Sequence, residues 1–365
     1  MRIPLASVVA LLVGAALLTA PSGRVRAQDT GFDLGGAVRL NHGWKDYDPI
    51  DPSKSDLELV RVDLQCARGR FICSAQYRWY DGFSAVHHAW VGIAPTPDQQ
   101  VRVGVLQAPF GLLPYASHSF WFGSGYYLGI EDDYDLGVAW THESEAWRGD
   151  VALFASDEYG TGREDGRYSF DVATTLQHPF RERERLVGRI ERTIESDTWT
   201  WRLGGSLSLG EVERRPDGRR FDHHAGALHL EAVRGPLELE AQWARYDYDV
   251  PGARIALTAF LFPFEIAARA DVLTANAAWT FEPAGWFDAI TCYNDYSTTR
   301  ASGPGQADSV QNVTGCSFAK GVMFTYVDWI TGRNMWFVGG PGIGLDAPER
   351  DRWHSRLNIN VGFYF

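Results

Sequence analysis

The sequence predicts an all-β fold: a transmembrane, antiparallel up-and-down β-barrel of about sixteen strands. Three observations predict it. Apolar and polar residues alternate with period two along most of the chain, as in "LVRVDLQC" and "PLELEAQW". The alternating segments run about ten residues, the length of a tilted strand crossing a bilayer. Short connections ("ARGRF", "APTPDQ", "EAVRGPLE") trade places with long ones at 43–56, 108–133 and 156–183.

Residues 1–27 are expected to form a secretory signal peptide. Arg2 supplies a positive start, Leu5 to Ala20 an apolar run short for a membrane span, and Val25-Arg26-Ala27 a small-residue cleavage site. The alternative is an anchor helix. Residues 28–365 then read as one barrel domain, without a Pro/Ser-rich linker or a shift in composition. The chain holds 34 Lys and Arg against 46 Asp and Glu, and losing Arg2, Arg24 and Arg26 takes the net charge from −12 to −15. No basic footprint for nucleic acid remains.

The strands follow in order. Their expected cores are 31–41, 57–66, 70–80, 84–93, 100–107, 134–142, 147–156, 184–193, 198–209, 222–233, 236–247, 270–281, 286–296, 311–318, 321–331 and 353–365. An even count puts both ends on the periplasmic side. A soluble β-sandwich would also alternate. Against it, Trp and Tyr gather at strand ends (Trp79, Tyr80, Trp140, Trp147, Trp199, Trp329), as an interfacial belt requires. Two segments fit less well. "RYSFDVATTL", within 157–183, reads as a strand that breaks the parity unless it finds a partner. "ARIALTAFLFPFEIAARA", at 253–270, either folds into the mouth or meets a neighbouring subunit. The closing "RWHSRLNINVGFYF" alternates to Phe365 and is expected to pair with the first strand, because lipid leaves no open sheet edge unpenalised.

In a large barrel the polar face of each strand looks into a water-filled lumen. Alternation then turns Arg39, Arg61, Arg78, Arg102, Arg148, Arg189, Arg202, Arg352 and Arg356 inward, along with Asp63, Asp150, Glu238 and Glu240. Arginine rings attract anions and bind carboxylate or phosphate by two parallel hydrogen bonds. They form either a basic ladder on one wall or pairs with carboxylates, since Arg61/Asp63 and Arg148/Asp150 sit two apart. Loop 108–133 is the expected constriction, with Pro109, Phe110, Gly111 and Tyr115 near its start and Glu131, Asp132, Asp133 and Asp135 at its far end. Those carboxylates oppose the arginines or hold a divalent cation, or else form a solvated loop end. Phe120, Trp121, Phe122, Tyr126 and Tyr127 line a path for solutes or pack the loop against the wall.

"LNINVGFYF" resembles the C-terminal signal of Gram-negative outer-membrane proteins, with Val361, Phe363 and Phe365 as the apolar positions. The resemblance implies recognition by the barrel assembly machinery and residence in the outer membrane among lipid and lipopolysaccharide. "HHAWVGIAPTPDQQVRVGVLQAPFGLLPYASHSFWF" resembles the phosphate-selective porin O and P family, which carries a similar Gly-x-x-x-x-Pro-Phe-Gly run, here Gly104, Pro109, Phe110 and Gly111. "RGPLELEAQWARY" is similar to another strand of that family. The resemblance implies a sixteen-stranded porin, usually a homotrimer, with an inward third loop. That family often has a basic residue just before Pro-Phe-Gly. This chain has Gln107 and Ala108, which argues against selectivity for phosphate.

Cys66 and Cys73 face each other across a turn at Gly69-Arg70, and Cys292 and Cys316 sit symmetrically about Pro304. Both pairs suit cross-strand disulfides in an oxidising compartment, the alternative being free thiols on the lipid face. His87-His88 and His223-His224 are not expected to chelate a metal, because strand neighbours point to opposite faces. No cofactor is expected. The function read from the sequence is passive diffusion of small hydrophilic solutes, anionic or neutral. Alternatives are a barrel hydrolase assembled from residues such as Ser206 and His354, or an adhesin with a plugged lumen. Neither a Gly-x-Ser-x-Gly elbow nor a His-Glu-x-x-His helix is present.

Overall fold

The structure, a computed structural model, describes residues 31–160, 166–281, 285–346 and 351–365. The expected leader lies outside the described residues. The strands are β1 (Gly31–Lys45), β2 (Ser53–Arg68), β3 (Phe71–Tyr80), β4 (Phe83–Thr96), β5 (Gln99–Gln107), β6 (Tyr134–Glu143), β7 (Trp147–Asp157), β8 (Arg167–Val172), β9 (Phe180–Glu195) and β10 (Thr200–Arg214). They continue with β11 (Arg219–Arg234), β12 (Leu237–Tyr248), β13 (Arg254–Phe260), β14 (Phe262–Ala267), β15 (Arg269–Phe281), β16 (Ala289–Arg300), β17 (Ser309–Lys320), β18 (Met323–Arg333) and β19 (Trp353–Tyr364). One four-residue helix, α1 (Ser124–Tyr127), lies in the third loop.

Sixteen of these strands close an antiparallel barrel, β1–β7, β9–β12 and β15–β19 in sequence order, with β19 paired to β1. The seam runs from Ala37 opposite Tyr364 to Lys45 opposite Arg356. Beyond it Gly36 and Phe365 exchange backbone hydrogen bonds of 2.7 and 3.1 Å. An unpaired edge in lipid would cost several kcal/mol per backbone group. Leu34, Val62, Val103, Leu203, Leu228 and Trp279 are exposed on the outer face, whereas Gln242, Asn276, Asp295, Asp328 and Asn358 are buried on the inner one. Period-two alternation thus separates an apolar outer face from a polar inner one. Several strands run longer than expected. β2, β9 and β11 each span 16 residues, more than the roughly 9–11 that a bilayer crossing needs. At one end the turns are short: Gly69 takes φ +62° in the two-residue β2–β3 turn, a conformation that favours glycine.

Three strands stand apart. β14, β13 and β8 form a separate sheet in that order. "RYSFDVATTL" therefore does contain a strand, β8, and its partner is β13 rather than the barrel, which preserves the parity. The 253–270 segment folds into the mouth at the long-loop end. Its hairpin starts between β12 and β15, the eleventh and twelfth barrel strands. At its tip Phe260 packs on Tyr80 and Phe83 at ring distances of 5.5 and 5.7 Å. Those rings top β3 and β4 on the opposite wall, so the hairpin crosses the whole mouth.

A core forms beneath it from four loops. Phe170 packs on Tyr126 at 5.2 Å and Tyr127 at 5.6 Å, and Phe264 stacks on Trp336 at 5.4 Å. Ile255, Leu257, Ile266, Met335 and Ile343 have no exposed surface. Each such side chain is worth about 1.5–3 kcal/mol over its exposed state. The cap is a packed layer rather than a loose set of loops.

Candidate functional site

The third loop (108–133) leaves β5 and turns into the barrel. Its anchors are inward residues of the far wall. Gly111 donates to Ser206 Oγ (3.0 Å) and accepts from Arg189 Nε (2.8 Å), and the Leu112 amide donates to Gln242 Oε1 (2.7 Å). Gly111 sits at φ +67°, and a Cβ there would lie 2.2 Å from Gln242 Oε1, which accounts for glycine after Pro109-Phe110. Further along, Asp295 Oδ2 accepts from Ser117 Oγ and from the His118 and Ser119 amides at 2.8–2.9 Å. Phe120 donates to Asp328 (3.2 Å) and Ser124 to Ser297 (2.9 Å). Inside this return, Glu131 accepts from the Ala116 amide (3.1 Å) and Gln242 (2.9 Å). Burial pushes the Glu131 carboxyl up to about 8.

Between this loop and β1–β3 lies a cavity of about 750 Å³. It reaches from Gly321 and Val322 in a short turn up to Phe260 and Phe337 of the cap. One wall carries Arg39, Arg61 and Arg78; the other carries Tyr115, Phe120, Trp121, Phe122 and Tyr126 from the loop. Arg39 pairs with Glu58 at 2.6 Å and Arg61 with Asp63 at 2.9 Å. Arg78 takes neutral partners, Gln76 at 2.5 Å and Tyr80 at 3.3 Å, and its guanidinium lies 4.5 Å from the Tyr168 ring. Among the described residues no carboxylate stands within ion-pair distance of it. Arg61 and Arg78 are direct cross-strand partners. Like charges directly opposite each other destabilise a sheet, and such a pair suits an anion between them.

The remaining candidates disperse. Arg102 bonds Thr141 (3.0 Å), which donates to Asp150 (2.7 Å), and Arg148 pairs with Asp150 at 3.0 Å. Arg189 holds Glu191 at 2.5 Å as well as Gly111. Arg202 pairs with Glu231. Arg356 lies 3.9 Å over the Trp121 ring and so packs the loop against β19. Arg352 precedes β19 in the last loop and is exposed. Ladder and pairing thus both occur, and they overlap on β1–β3, where Arg39 and Arg61 each hold a carboxylate while Arg78 does not.

The four loop carboxylates also separate. Only Asp132 lines the cavity, where it accepts from Tyr168 Oη at 2.5 Å. Burial raises its carboxyl to about 6 although Tyr168 and Arg78 favour the anion. Asp133 and Asp135 turn away to bind Arg185, and Glu131 holds the loop return. Alternation sends residues two apart to the same side, so Asp133 and Asp135 share one arginine.

Both cysteine pairs are joined, Cys66 to Cys73 and Cys292 to Cys316. The rule that strand neighbours point to opposite faces holds for one histidine pair and fails for the other. His223 is buried and stacks on Tyr248 at 3.8 Å, while His224 is exposed. At His87-His88 the register slips: Gln76 faces His88 and Tyr77 faces Val86, so His87 is a bulged residue. The rings meet, with their Nδ1 atoms 2.8 Å apart. No third His, Cys, Asp or Glu ligand joins them among the described residues. Sequence reasoning also placed Glu238 and Glu240 inward without connecting them to His118. The loop brings that ring over them, its Nε2 3.8 Å from Glu238.

No protein-family model matches the chain, and no curated protein matches it either. Solved structures do. The chain is similar to the outer-membrane channel DcaP of Acinetobacter baumannii (9% identity, 94% of this chain and 100% of that one, TM-score 0.63). It is similar to an anion-selective porin from Comamonas acidovorans (10%, 92% and 100%, TM-score 0.60). OmpT, an outer-membrane protein of Vibrio cholerae, is comparable (10%, 94% and 100%, TM-score 0.61). At such identities the likeness is one of fold: a closed, sixteen-strand barrel of the porin kind.

Proposed function

We propose that the chain is an outer-membrane porin that passes small anionic solutes, with carboxylates joined to a flat or apolar part as the best fit. The observation that carries this reading is the cavity itself. Arg39, Arg61 and Arg78 face a wall of loop aromatics across it. Guanidinium groups bind carboxylates by paired hydrogen bonds, and the rings accept the apolar remainder. The outer apolar face and the sealed β1–β19 seam support a position in lipid. The signal peptide at 1–27, the assembly signal at Val361, Phe363 and Phe365, surrounding lipopolysaccharide and a homotrimer belong to the same reading. So does a closer relation to the porin O and P family, which rests on the Pro109-Phe110-Gly111 run.

The cap qualifies the channel. With the β13–β14 hairpin across the mouth, passage between the cavity and the long-loop side requires the tip at Phe260 to lift. This proposal therefore makes the barrel a gated, solute-selective channel. The hydrolase alternative finds no support in its candidate residues. Ser206, on β10, accepts from the Gly111 amide, and His354, on β19 at the other side of the barrel, lies 3.4 Å from Asp46. Planar-bilayer recordings in a salt gradient test the reading. Anion preference that falls in Arg78→Glu is expected. Absence of conductance, or a preference that Arg78→Glu leaves unchanged, would refute it.

A further inference from the structure

At the corner of the third loop, His118 packs over the inner face of β12. Its Nδ1 lies 2.9 Å from Asp295 Oδ1. That carboxylate, already accepting three other bonds, accepts the Nδ1–H as well, so Nε2 is the ring nitrogen left to face the glutamates. Nε2 is buried and has no hydrogen-bond partner. It points at two carboxylates: Glu238 Oε2 stands 3.8 Å away, and one atom each from His118, Glu238 and Glu240 lie within 4.8 Å of one another. Glu240 is oriented from behind, because Asn276 donates to its Oε2 at 2.8 Å. Asn276 also donates to the Ala116 carbonyl at 2.9 Å, so one residue fixes both the glutamate and the loop.

We propose that His118, Glu238 and Glu240 form a binding site for a divalent transition-metal cation such as zinc. The donor set is one imidazole nitrogen and two carboxylates, which suits zinc with a fourth position left open. Zinc ligands at about 2.0–2.1 Å in a tetrahedron stand roughly 3.3 Å from each other, so small rotamer changes close the present spacing. The arrangement behind the ligands is the one that tunes metal sites: a carboxylate on the far nitrogen of the histidine and an amide on the ligating glutamate. A cation also resolves the repulsion of two glutamates side by side on one strand. The Glu238 side chain is 40% exposed, so the open position faces the water-filled lumen. Nothing in the sequence spacing signals the site, because loop folding alone joins its members.

The test uses the full-length barrel in detergent, stripped with chelator and titrated calorimetrically with zinc chloride, with cobalt chloride absorption as a second readout. One cation per chain is expected, with a tetrahedral cobalt spectrum. His118→Ala and Glu240→Gln should each weaken binding by more than the roughly 10–100-fold that loss of an outer partner costs. Glu238→Gln guards against loop disruption, because that carboxylate makes no hydrogen bond among the described residues; it should weaken binding while heat-dependent gel mobility stays that of the folded barrel. Binding that is absent, or unchanged in His118→Ala and Glu238→Gln, overturns the proposal. If zinc does not bind and the His118 ring titrates with the carboxylates instead, the cluster is an ion-pair network only. None of these readouts depends on conductance, so the site stands or falls apart from the channel.

Discussion

On β1–β3 the inward arginines line a cavity; on β12–β18 many inward polar residues are covered. Gln242, Asp295, Ser297, Gln311 and Asp328 all bind the third loop, while Arg39, Arg61 and Arg78 line the cavity. Both walls are built from the same alternation. The difference shows that facing inward and lining a path are separate properties, and that one loop decides between them.

The strongest way to break the contrast is to remove what closes the cavity above both walls. Replacing 254–267 by a short Gly/Ser link should raise single-channel conductance several-fold in bilayer recordings, since it deletes the hairpin across the mouth. Reversing a charge on the open wall comes next. Two unit charges 4 Å apart in water interact by about 1 kcal/mol, so Arg78→Glu, a change of two units, should lower the anion-over-cation permeability ratio on the order of tenfold. Arg202→Glu, opposite Glu231, should move it several times less.

The covered wall is probed by Asp295→Ala. Each hydrogen bond to a charged acceptor is worth about 1.5–3 kcal/mol, and this residue anchors the loop at Ser117, His118 and Ser119. Current noise and protease cutting within 108–133 should both increase. A milder change follows from pH. Glu131 keeps its proton in the folded loop up to about 8, against 4.5 ordinarily. A raised carboxyl stabilises the fold fully below the ordinary value and loses that contribution as pH climbs toward the raised one. Loop noise should therefore grow between about pH 5 and pH 8 in the native chain, and Glu131→Gln should flatten that dependence. The smallest effect is expected from Cys66→Ser with Cys73→Ser. A disulfide closing so short a loop contributes about 2 kcal/mol or less, seen as a modest fall in the heat-modification temperature with conductance unchanged.

Much of the barrel was legible because a strand between lipid and water must alternate. The cysteine pairs were legible too, since hairpin register is local: Cys66 meets Cys73 across a turn of two residues. The cap was not. β8 and β13 are each buried along nearly their whole length, yet β8 alternates Arg167, Ser169 and Asp171 with Tyr168, Phe170 and Val172 as a barrel strand does, so its pattern does not say which sheet it joins. Their pairing joins segments far apart in the chain, which no window of sequence records. His87 escaped for a related reason, because one inserted residue in β4 overturns the rule that neighbours point apart.

The sequence by itself determined the closed sheet, a count of about sixteen strands and, away from bulges, the face each side chain takes, because backbone pairing and lipid contact act residue by residue with period two. Only the tertiary structure decided which inward residues stay open. That choice depends on where loops 108–133 and 249–268 pack, and apolar packing between distant segments carries no periodic signature in the chain.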